Sequence, residues 1–210
     1  MPRDFRLIDH PLVSHKLTRL RDRNTPTREF RNLVRELGML LAFEASRDLA
    51  VRATTVETPI QKMAGATLAG KPPALIPILR AGLGLLDGML QVISDAEVGH
   101  IGMVRDPQTL EAREYYCNLP TDMTQRSALI LDPMLATGHS AIAATDRVLE
   151  SRPRSTTLVC FIAAPEGVQK FHTRHPSVPI IAAALDEGLN EKGYIVPGLG
   201  DAGDRLYGTA

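Results

Sequence analysis

Apolar residues in this chain fall into short continuous runs, and helix-like segments lie between them. The runs cover residues 74–79, 98–104, 128–131, 156–164 and 178–185, and each has the length of a buried strand. The intervening segments 83–93, 141–149 and 166–175 are predicted as helices. This alternation predicts an α/β fold with a mostly parallel central sheet and helices on both faces.

The first third of the chain adds one predicted helix and one predicted strand. Thr25 and Pro26 are typical of a helix start, with Thr25 as the cap and Pro26 at the first helical position. Apolar residues then follow helical spacing through about Arg47. Residues 51–58 are rich in β-branched side chains and predict a strand. Pro77 weakens the strand prediction for 74–79, because proline cannot donate a ladder hydrogen bond.

Residues 128–140, ALILDPMLATGHS, combine a strand, an acidic turn, a loop of small residues and a helix start. The first turn of a helix offers unpaired N–H groups and the positive end of the helix dipole, which suits a phosphate. Thr137 and Ser140 add hydroxyl donors, and Asp132 follows the strand, where its carboxylate could accept hydrogen bonds from sugar hydroxyls. These features predict a ribose 5-phosphate site. The alternative is an ordinary connection in which Thr137 or Ser140 caps the helix.

Three polar side chains follow predicted strands. Arg80, Arg105 and Asp132 each come directly after an apolar run. Ligands of parallel sheets bind beyond the carboxyl ends of the strands, so the three residues are expected to share one site. For Arg80 the alternative is a surface ion pair. The glycines at 82, 84 and 88 do not have the spacing of a dinucleotide-binding fingerprint, and that interpretation is rejected.

The tail, residues 193–205, reads GYIVPGLGDAGDR. Four glycines, one proline and two aspartates within thirteen residues predict neither a helix nor a central strand. A loop so rich in glycine brings its backbone close to another group. It is either a structural cover over the sheet or a pocket in which backbone groups bind a flat base.

Composition narrows the class of protein. The chain has 210 residues and is predicted to form a single domain; 24 Lys and Arg balance 24 Asp and Glu, which gives no support for general nucleic-acid binding. Two cysteines imply no disulfide framework. The charged N-terminus lacks the apolar segment of a signal peptide, and no run is long enough to span a membrane. A soluble cytoplasmic protein is expected.

Two of these stretches resemble one known family. Residues 132–138, DPMLATG, resemble the phosphoribosyl diphosphate loop of the uracil phosphoribosyltransferases, which carry Asp-Pro where most enzymes of the type I phosphoribosyltransferase fold carry two acidic residues. Residues 193–205 resemble the uracil-binding segment of that family. Residues 10–11 (HP) and 15–18 (HKLT) are similar to its N-terminal arm, expected over about residues 1–24. The resemblance extends over nearly the whole chain.

The resemblance implies a magnesium-dependent transfer of ribose 5-phosphate from 5-phosphoribosyl 1-diphosphate to N1 of uracil. It places the donor on Arg80, Arg105, Asp132, Pro133, Met134, Leu135, Ala136, Thr137, Gly138, His139, Ser140 and Asp201. Uracil would contact Ile195, Gly200, Asp201 and Ala202. Asp132 and Asp201 would stabilise charge, with no covalent nucleophile, and Mg²⁺ would be held through diphosphate and water. A non-proline cis peptide is frequent in the family beside the position of Arg80.

The resemblance also carries expectations about the rest of the molecule. A flap hairpin is expected over about residues 106–124 and a C-terminal hood over about 187–210. A homodimer or homotetramer is expected, and GTP activates some bacterial relatives. Backbone donors and acceptors in the hood would match O2, N3–H and O4 of uracil and reject cytosine, whose edge has donor and acceptor exchanged.

One position departs from the family pattern. The family usually has glycine where this chain has His139. A positive φ there would strain histidine, whereas a negative φ would let the imidazole approach the phosphate. Two alternatives to the uracil enzyme stay open: an enzyme of the same fold that uses another base, and a regulator that binds uridine nucleotides or RNA.

Overall fold

One large, mostly parallel sheet forms the centre of the molecule. The structure, a computed structural model, describes residues 4–105 and 112–209. In these residues the strands are β1 (Phe5–Leu7), β2 (Val51–Glu57), β3 (Lys62–Leu68), β4 (Ala74–Leu79), β5 (Glu97–Val98), β6 (His100–Arg105), β7 (Ala112–Asn118), β8 (Ser127–Leu131), β9 (Met134–Leu135), β10 (Ser155–Ala163), β11 (Ile180–Leu185), β12 (Gly188–Leu189) and β13 (Ile195–Val196). The helices are α1 (Pro11–Arg21), α2 (Thr27–Ala45), α3 (Leu83–Val92), α4 (His139–Glu150), α5 (Pro165–Arg174) and α6 (Ala202–Tyr207).

The central sheet has the strand order β1-β11-β10-β8-β4-β6-β7, with β5 beside β4 and β9 beside β10. Among the described residues its pairings are parallel except for the antiparallel pair β6–β7. Two small antiparallel pairs, β2–β3 and β12–β13, stand outside it. All strands of the parallel part end at one edge of the sheet, and the loops that follow β4 and β8 meet there.

Helices cover both faces of this sheet, as the sequence predicts. Leu75, Leu129 and Val159 pack with α1, α2, α3 and α6 on one face. Their neighbours Ile76, Ile130 and Leu158 pack with α4 and α5 on the other face. Because side chains alternate along a strand, a strand buried on both sides is apolar at every position, which explains the continuous runs.

Pro77 lies inside β4 without interrupting the sheet. On one side β4 pairs with β5 at Ala74 and Leu75, and with β6 only at Ile78 and Leu79. Pro77 falls between these two stretches, so its missing N–H removes no bond from a continuous ladder. The predicted strand 98–104 is accordingly divided at Gly99 into β5 and β6.

Two local predictions were wrong, and one strand was missed. The helix α2 begins at Thr27 with Pro26 as its cap, whereas Thr25 donates its hydroxyl to the Arg19 carbonyl. The strand β3, which pairs with β2, was not predicted. The tail contains a short helix, α6, so the glycine-rich segment is not entirely a loop.

The N-terminal residues contribute both to the sheet and to one helical layer. The edge strand β1 runs parallel to β11, and α1 follows it. The basic residues of α1 are paired: Lys16 with Glu36 at 2.5 Å, Arg19 with Glu29, and Arg21 with Asp186. No described helix is both long enough and apolar enough to cross a membrane.

Candidate functional site

Three loops meet at the carboxyl edge of the sheet. A pocket of about 230 Å³ lies between the loop after β4 and the loop after β8; its lining includes Arg80, Ala81 and Asp132, together with residues 136–141. The tail closes over the same edge: a Cβ built on Gly193 would lie 3.6 Å from the methyl group of Thr137, and one on Gly203 would lie 3.8 Å from the Ala81 Cβ. The predicted donor and base segments are therefore neighbours.

The loop after β8 is held by hydrogen bonds to β10. Asp132 N–H donates to Val159 O over 3.1 Å, Phe161 N–H to Pro133 O over 3.0 Å, and Ala164 N–H to Leu135 O over 2.9 Å. Met134 and Leu135 form β9 within this loop, an element that the sequence did not predict. A stretch of backbone fixed in this way can present its remaining N–H groups in a set geometry.

Gly138 ends the loop in the left-handed region, with φ of 80°, and is the N-cap of α4. Neither Thr137 nor Ser140 caps the helix, so the alternative of a side-chain cap at this position is wrong. His139 is the first residue of α4 and is not among the described residues with positive φ, so its backbone is unstrained. The glycine requirement belongs to position 138 and not to 139, which explains why the chain accommodates His139.

Asp132 stands in the pocket at the end of β8. Burial raises the pKa of its carboxyl group to about 7, while a long contact of 3.5 Å from the Met134 N–H lowers that pKa slightly. Within the described residues, the lining of this pocket contains no acidic side chain besides Asp132. Such a carboxylate lacks full solvation until a ligand donates hydrogen bonds to it.

Arg80 follows β4, and its side chain is exposed. Among the described residues no carboxylate forms an ion pair with it, so the alternative of a surface ion pair finds no support. The Leu79–Arg80 peptide bond is cis, as the family resemblance implies. Tyr207 donates its hydroxyl to the Arg80 carbonyl over 3.0 Å, and the guanidinium lies 5.8 Å from the ring centroid.

Arg105 is the last residue of β6, but its side chain lies outside the described residues. The predicted flap, 106–124, is described only from residue 112 onward, where β7 runs antiparallel to β6. The flap therefore stays a prediction. Tyr115 packs its ring over Gly102, where a Cβ would lie 2.5 Å from the ring, which fits a packing role.

The predicted base segment lies beside the loops that line the pocket. The side chains of Ile195 and Ala202 are buried in the core, 4% and 7% exposed, so contact with a base would come from their backbone groups. Gly200 is exposed and has φ of 80°. Asp201 is exposed and caps α6, where its carboxylate accepts from the Asp204 N–H over 2.9 Å. This capping role was not predicted.

The sequence patterns missed the side chains that fix the hood. Asp186, only 3% exposed, accepts from Arg21 and also from the Gly198 N–H over 2.9 Å. Arg205 donates to the carbonyls of Leu20, Leu199 and Asp22 and lies 4.4 Å from the ring centroid of Phe30. Burial lowers the pKa of Arg205. No periodicity marks these residues, because their partners are up to 185 positions away.

Metal-ligand clusters are not found in the described ranges. In residues 4–105 and 112–209 no three His, Cys, Asp or Glu side chains come together so as to hold a metal ion. The pocket could thus hold a divalent cation mainly through oxygen atoms of a bound ligand, with Asp132 as the one carboxylate in its described lining.

Known proteins match this chain over almost its full length. The family model described as uracil phosphoribosyltransferase matches residues 7–209. The uracil phosphoribosyltransferase of Staphylococcus aureus (strain Newman) is 56% identical over 203 residues, which are 97% of each chain, and that of strain JH1 matches equally.

Solved structures share the fold of this chain. The AQ2163 protein from Aquifex aeolicus has a TM-score of 0.93 and 40% identity, covering 98% of this chain and 99% of its own. A hypoxanthine phosphoribosyltransferase from Staphylococcus aureus has a TM-score of 0.50 and 12% identity, covering 76% of each chain, and shows the fold alone. The chain therefore belongs to the uracil phosphoribosyltransferase family of transferases.

Proposed function

We propose that the chain transfers ribose 5-phosphate from 5-phosphoribosyl 1-diphosphate to N1 of uracil, giving uridine monophosphate and diphosphate. This reaction belongs to pyrimidine salvage. The observation that carries the proposal is the approach of the hood to the loop after β8, with Gly193 beside Thr137. A base bound under the hood and a ribosyl phosphate bound on the loop would meet in the pocket that contains Asp132.

The donor would be held by the two loops of the pocket. Its 5′-phosphate would accept hydrogen bonds from the backbone of residues 136–140 and from the hydroxyls of Thr137 and Ser140, at the positive end of α4. Asp132 would accept from the ribose hydroxyls. The guanidinium groups of Arg80 and Arg105 would bind the diphosphate, where planar forks suit pairs of phosphate oxygens.

Magnesium would be bound through the donor. Among the described residues the pocket supplies one carboxylate, Asp132, and two hydroxyls, Thr137 and Ser140. This donor set is too sparse for an all-protein site and is typical of a cation that keeps water and phosphate ligands. The ion would neutralise charge on the departing diphosphate. Positioning of the two substrates and stabilisation of the oxocarbenium-like transition state would supply the rest of the rate.

No covalent step is proposed. Cys160 lies under the site, but burial raises the pKa of its thiol far above neutrality, so it holds its proton. Burial also raises the pKa of Cys117, which lies on β7. Asp201 is proposed to stabilise charge near the ribosyl donor, and because its carboxylate caps α6 its position is tied to that helix.

The base would be recognised by backbone groups of residues 195–202. Buried backbone donors and acceptors discriminate strongly against a base with the opposite pattern, because mismatched groups stay unpaired. Assembly as a homodimer or homotetramer, and activation by GTP, are further expectations that come from the family.

The direct test is conversion of radiolabelled uracil to uridine monophosphate with Mg²⁺ and 5-phosphoribosyl 1-diphosphate, in the presence and absence of GTP. We expect conversion by the native chain and by a His139→Gly variant, since position 139 has a helical backbone in α4. Cytosine and hypoxanthine serve as base controls. Absence of uracil conversion by both proteins with GTP present would rule out the proposed reaction, and a regulator that binds uridine nucleotides would then be favoured.

A further inference from the structure

The turn between β10 and α5, residues 163–167, packs against the loop after β8 on one side. Ala164 N–H donates to Leu135 O over 2.9 Å. Gly167 lies so close to the loop that a Cβ built on it would be 2.2 Å from the Ala136 carbonyl oxygen. The backbone of the predicted phosphate loop is therefore in direct contact with this turn.

The same turn contacts the start of the hood on its other side. Asp186 N–H donates to Ala163 O over 2.9 Å. The carboxylate of Glu166, an exposed residue in the first turn of α5, accepts from the Leu189 N–H over 3.1 Å. A Cβ built on Gly188 would lie 3.0 Å from the same carboxylate oxygen. Glu166 therefore both packs against β12 and bonds to it.

The strand β12 belongs to a short hairpin that reaches both predicted subsites. Its pairing with β13 joins Leu189 to Ile195, a predicted uracil contact. The backbone and the side chain of Asn190 form hydrogen bonds across the hairpin turn. This turn places Gly193 beside Thr137, where a Cβ would lie 3.6 Å from the threonine methyl group. Because the hairpin is small and closed by these bonds, a contact that fixes Leu189 also fixes Ile195 and Gly193.

The Leu189 N–H is an outward-facing donor of this hairpin. In an antiparallel pair successive N–H groups point alternately toward the partner strand and away from it. The Asn190 N–H donates to the Tyr194 carbonyl across the hairpin, so the N–H of Leu189 points away, and Glu166 accepts it there. A hydrogen bond to an ionised acceptor is stronger than one between neutral groups. The Glu166 contact therefore favours one position of the hairpin relative to α5.

We propose that Glu166 is a positioning residue that holds the hood, and with it the bound base, at a fixed distance from the ribosyl donor. The loop after β8 and the hood are both attached to residues 163–167, so this turn sets the spacing between the two substrates. The identity of the substrates rests on the proposed function, whereas the attachment of Leu189 to Glu166 is a property of the free protein. Glu166 bonds to the hood, whereas the loop is contacted by Ala164 and Gly167, so donor binding alone should not depend on the Glu166 carboxylate.

The alternative role of Glu166 is to stabilise α5, since an acidic residue in the first turn interacts favourably with the helix dipole. A Glu166→Gln variant separates the two roles, because glutamine loses the charge and keeps an oxygen that can accept. Amide hydrogen exchange of the free protein is the first test. We expect Glu166→Ala to raise the exchange rate of the Leu189 amide about tenfold, equivalent to ~1.4 kcal/mol, and Glu166→Gln to raise it much less. Equal exchange of this amide in the native protein and the Ala variant would overturn the proposal.

Ligand binding is the second test, measured by isothermal titration calorimetry. Ribose 5-phosphate is expected on the loop alone, whereas uridine monophosphate also reaches the hood. We expect Glu166→Ala to weaken binding of uridine monophosphate about fivefold, equivalent to ~1 kcal/mol, and to leave the affinity for ribose 5-phosphate unchanged. Glu166→Gln should keep most of the native affinity. Glu187→Ala is the matched control, because it removes an exposed carboxylate at the start of the hood that has no partner among the described residues.

Three binding results would contradict the positioning role. They are an unchanged affinity of the Ala variant for uridine monophosphate, an equal loss for both ligands, and an equal loss in the Gln and Ala variants, which would indicate the helix dipole. Native protein that binds uridine monophosphate no more tightly than ribose 5-phosphate would also overturn it, because the hood would then hold no base.

The positioning role and the proposed function fail in different ways. If Glu166→Ala selectively weakens uridine monophosphate but the native chain does not convert uracil, the positioning role stands and the proposed reaction falls. If the native chain converts uracil and Glu166→Ala changes neither the uracil KM nor kcat, the reaction stands and the positioning role is wrong.

Discussion

The two halves of the site are built in contrasting ways. The loop after β8 is formed by one continuous segment between β8 and α4, and hydrogen bonds to the neighbouring strand β10 fix its backbone. The hood is fixed by side chains: Arg21 and Asp186 join across 165 positions, and Arg205 reaches Leu20 across 185. Local backbone geometry makes the predicted phosphate loop, and distant charged side chains hold the predicted base segment in place.

This difference predicts different responses to substitution. Substitutions near the loop after β8 should alter affinity for the donor. Substitutions at the side-chain anchors of the hood, which are Arg21, Asp186 and Arg205, should lower both the affinity for uracil and the free energy of unfolding. The four substitutions that follow test this separation, and they are ordered by the size of the expected effect.

Replacement of Asp186 by Ala should give the largest effect, on the hood. The substitution leaves the Gly198 N–H without its acceptor and the Arg21 guanidinium with the Gly198 carbonyl but no carboxylate. Loss of one partner of a buried pair costs about 4 kcal/mol, so we expect the free energy of unfolding to fall by this amount. Urea unfolding measures the change. We also expect a higher KM for uracil with a smaller change for the donor. Arg19→Met, which breaks the exposed pair with Glu29, should cost about 0.5 kcal/mol or less. Equal losses for both variants would contradict the anchoring role of Asp186.

Replacement of Asp132 by Asn should weaken donor binding about 50-fold, equivalent to ~2.3 kcal/mol for hydrogen bonds to a charged acceptor. Burial raises the pKa of Asp132 to about 7, so in the free protein its carboxyl group is mainly ionised at pH 8 and mainly protonated at pH 6. Donor affinity of the native protein should therefore fall as the pH decreases through 7.

The Asn variant is its own control for this pH dependence, because it cannot ionise while the phosphates of the donor still titrate. We expect the part of the pH dependence that belongs to Asp132 to disappear in the variant. Isothermal titration calorimetry from pH 6 to pH 8 measures the donor affinity of both proteins. Identical profiles for the two proteins would show that Asp132 does not bind the donor as a carboxylate.

Replacement of Gly167 by Ala should disturb the loop from the side of α5. A Cβ at this position would lie 2.2 Å from the Ala136 carbonyl oxygen and 2.7 Å from that of Leu135, both of them backbone atoms. The added Cβ would force α5 away from the loop after β8, which should lower the free energy of unfolding by about 2 kcal/mol. Because the loop moves, the donor KM should rise more than the uracil KM. Gly65→Ala, where a Cβ would make only ordinary contacts of 3.7 Å or more, should change stability little. A stabilised Gly167→Ala protein would contradict the packing argument.

Replacement of Tyr207 by Phe should give the smallest effect. It removes the hydrogen bond to the Arg80 carbonyl and keeps the ring beside the guanidinium. We expect the donor KM to rise about threefold, or ~0.7 kcal/mol. Tyr207→Leu, which also removes the ring, should raise it further. A Phe variant that binds the donor as tightly as the native protein would show that the hydroxyl does not position Arg80.

The same contrast explains how much the sequence could predict. The inner strands β4, β8, β10 and β11 and the helices α3, α4 and α5 follow from apolar runs and helical spacing, because these strands are mostly buried on both faces. The loop after β8, where we propose that the phosphate binds, could be placed from residues 132–140, since its geometry is local. Gly167 could not be assigned to it, because nothing in the spacing reports that α5 packs against this loop.

The hood shows the opposite case. Its glycines predict a loop, yet Asp201 caps a helix from Ala202 to Tyr207 that the composition does not indicate. The anchors Arg21 and Arg205 look like ordinary surface cations in the sequence. Their role depends on contacts across most of the chain, which only the assembled fold brings together.

The most direct test of the two-part site is amide hydrogen exchange in the presence of uridine monophosphate and of ribose 5-phosphate. Ribose 5-phosphate should protect only residues 136–141, and uridine monophosphate should protect these residues and also 195–202, because its base reaches the hood. Protection of the hood by ribose 5-phosphate, or protection by uridine monophosphate at neither segment, would contradict the account.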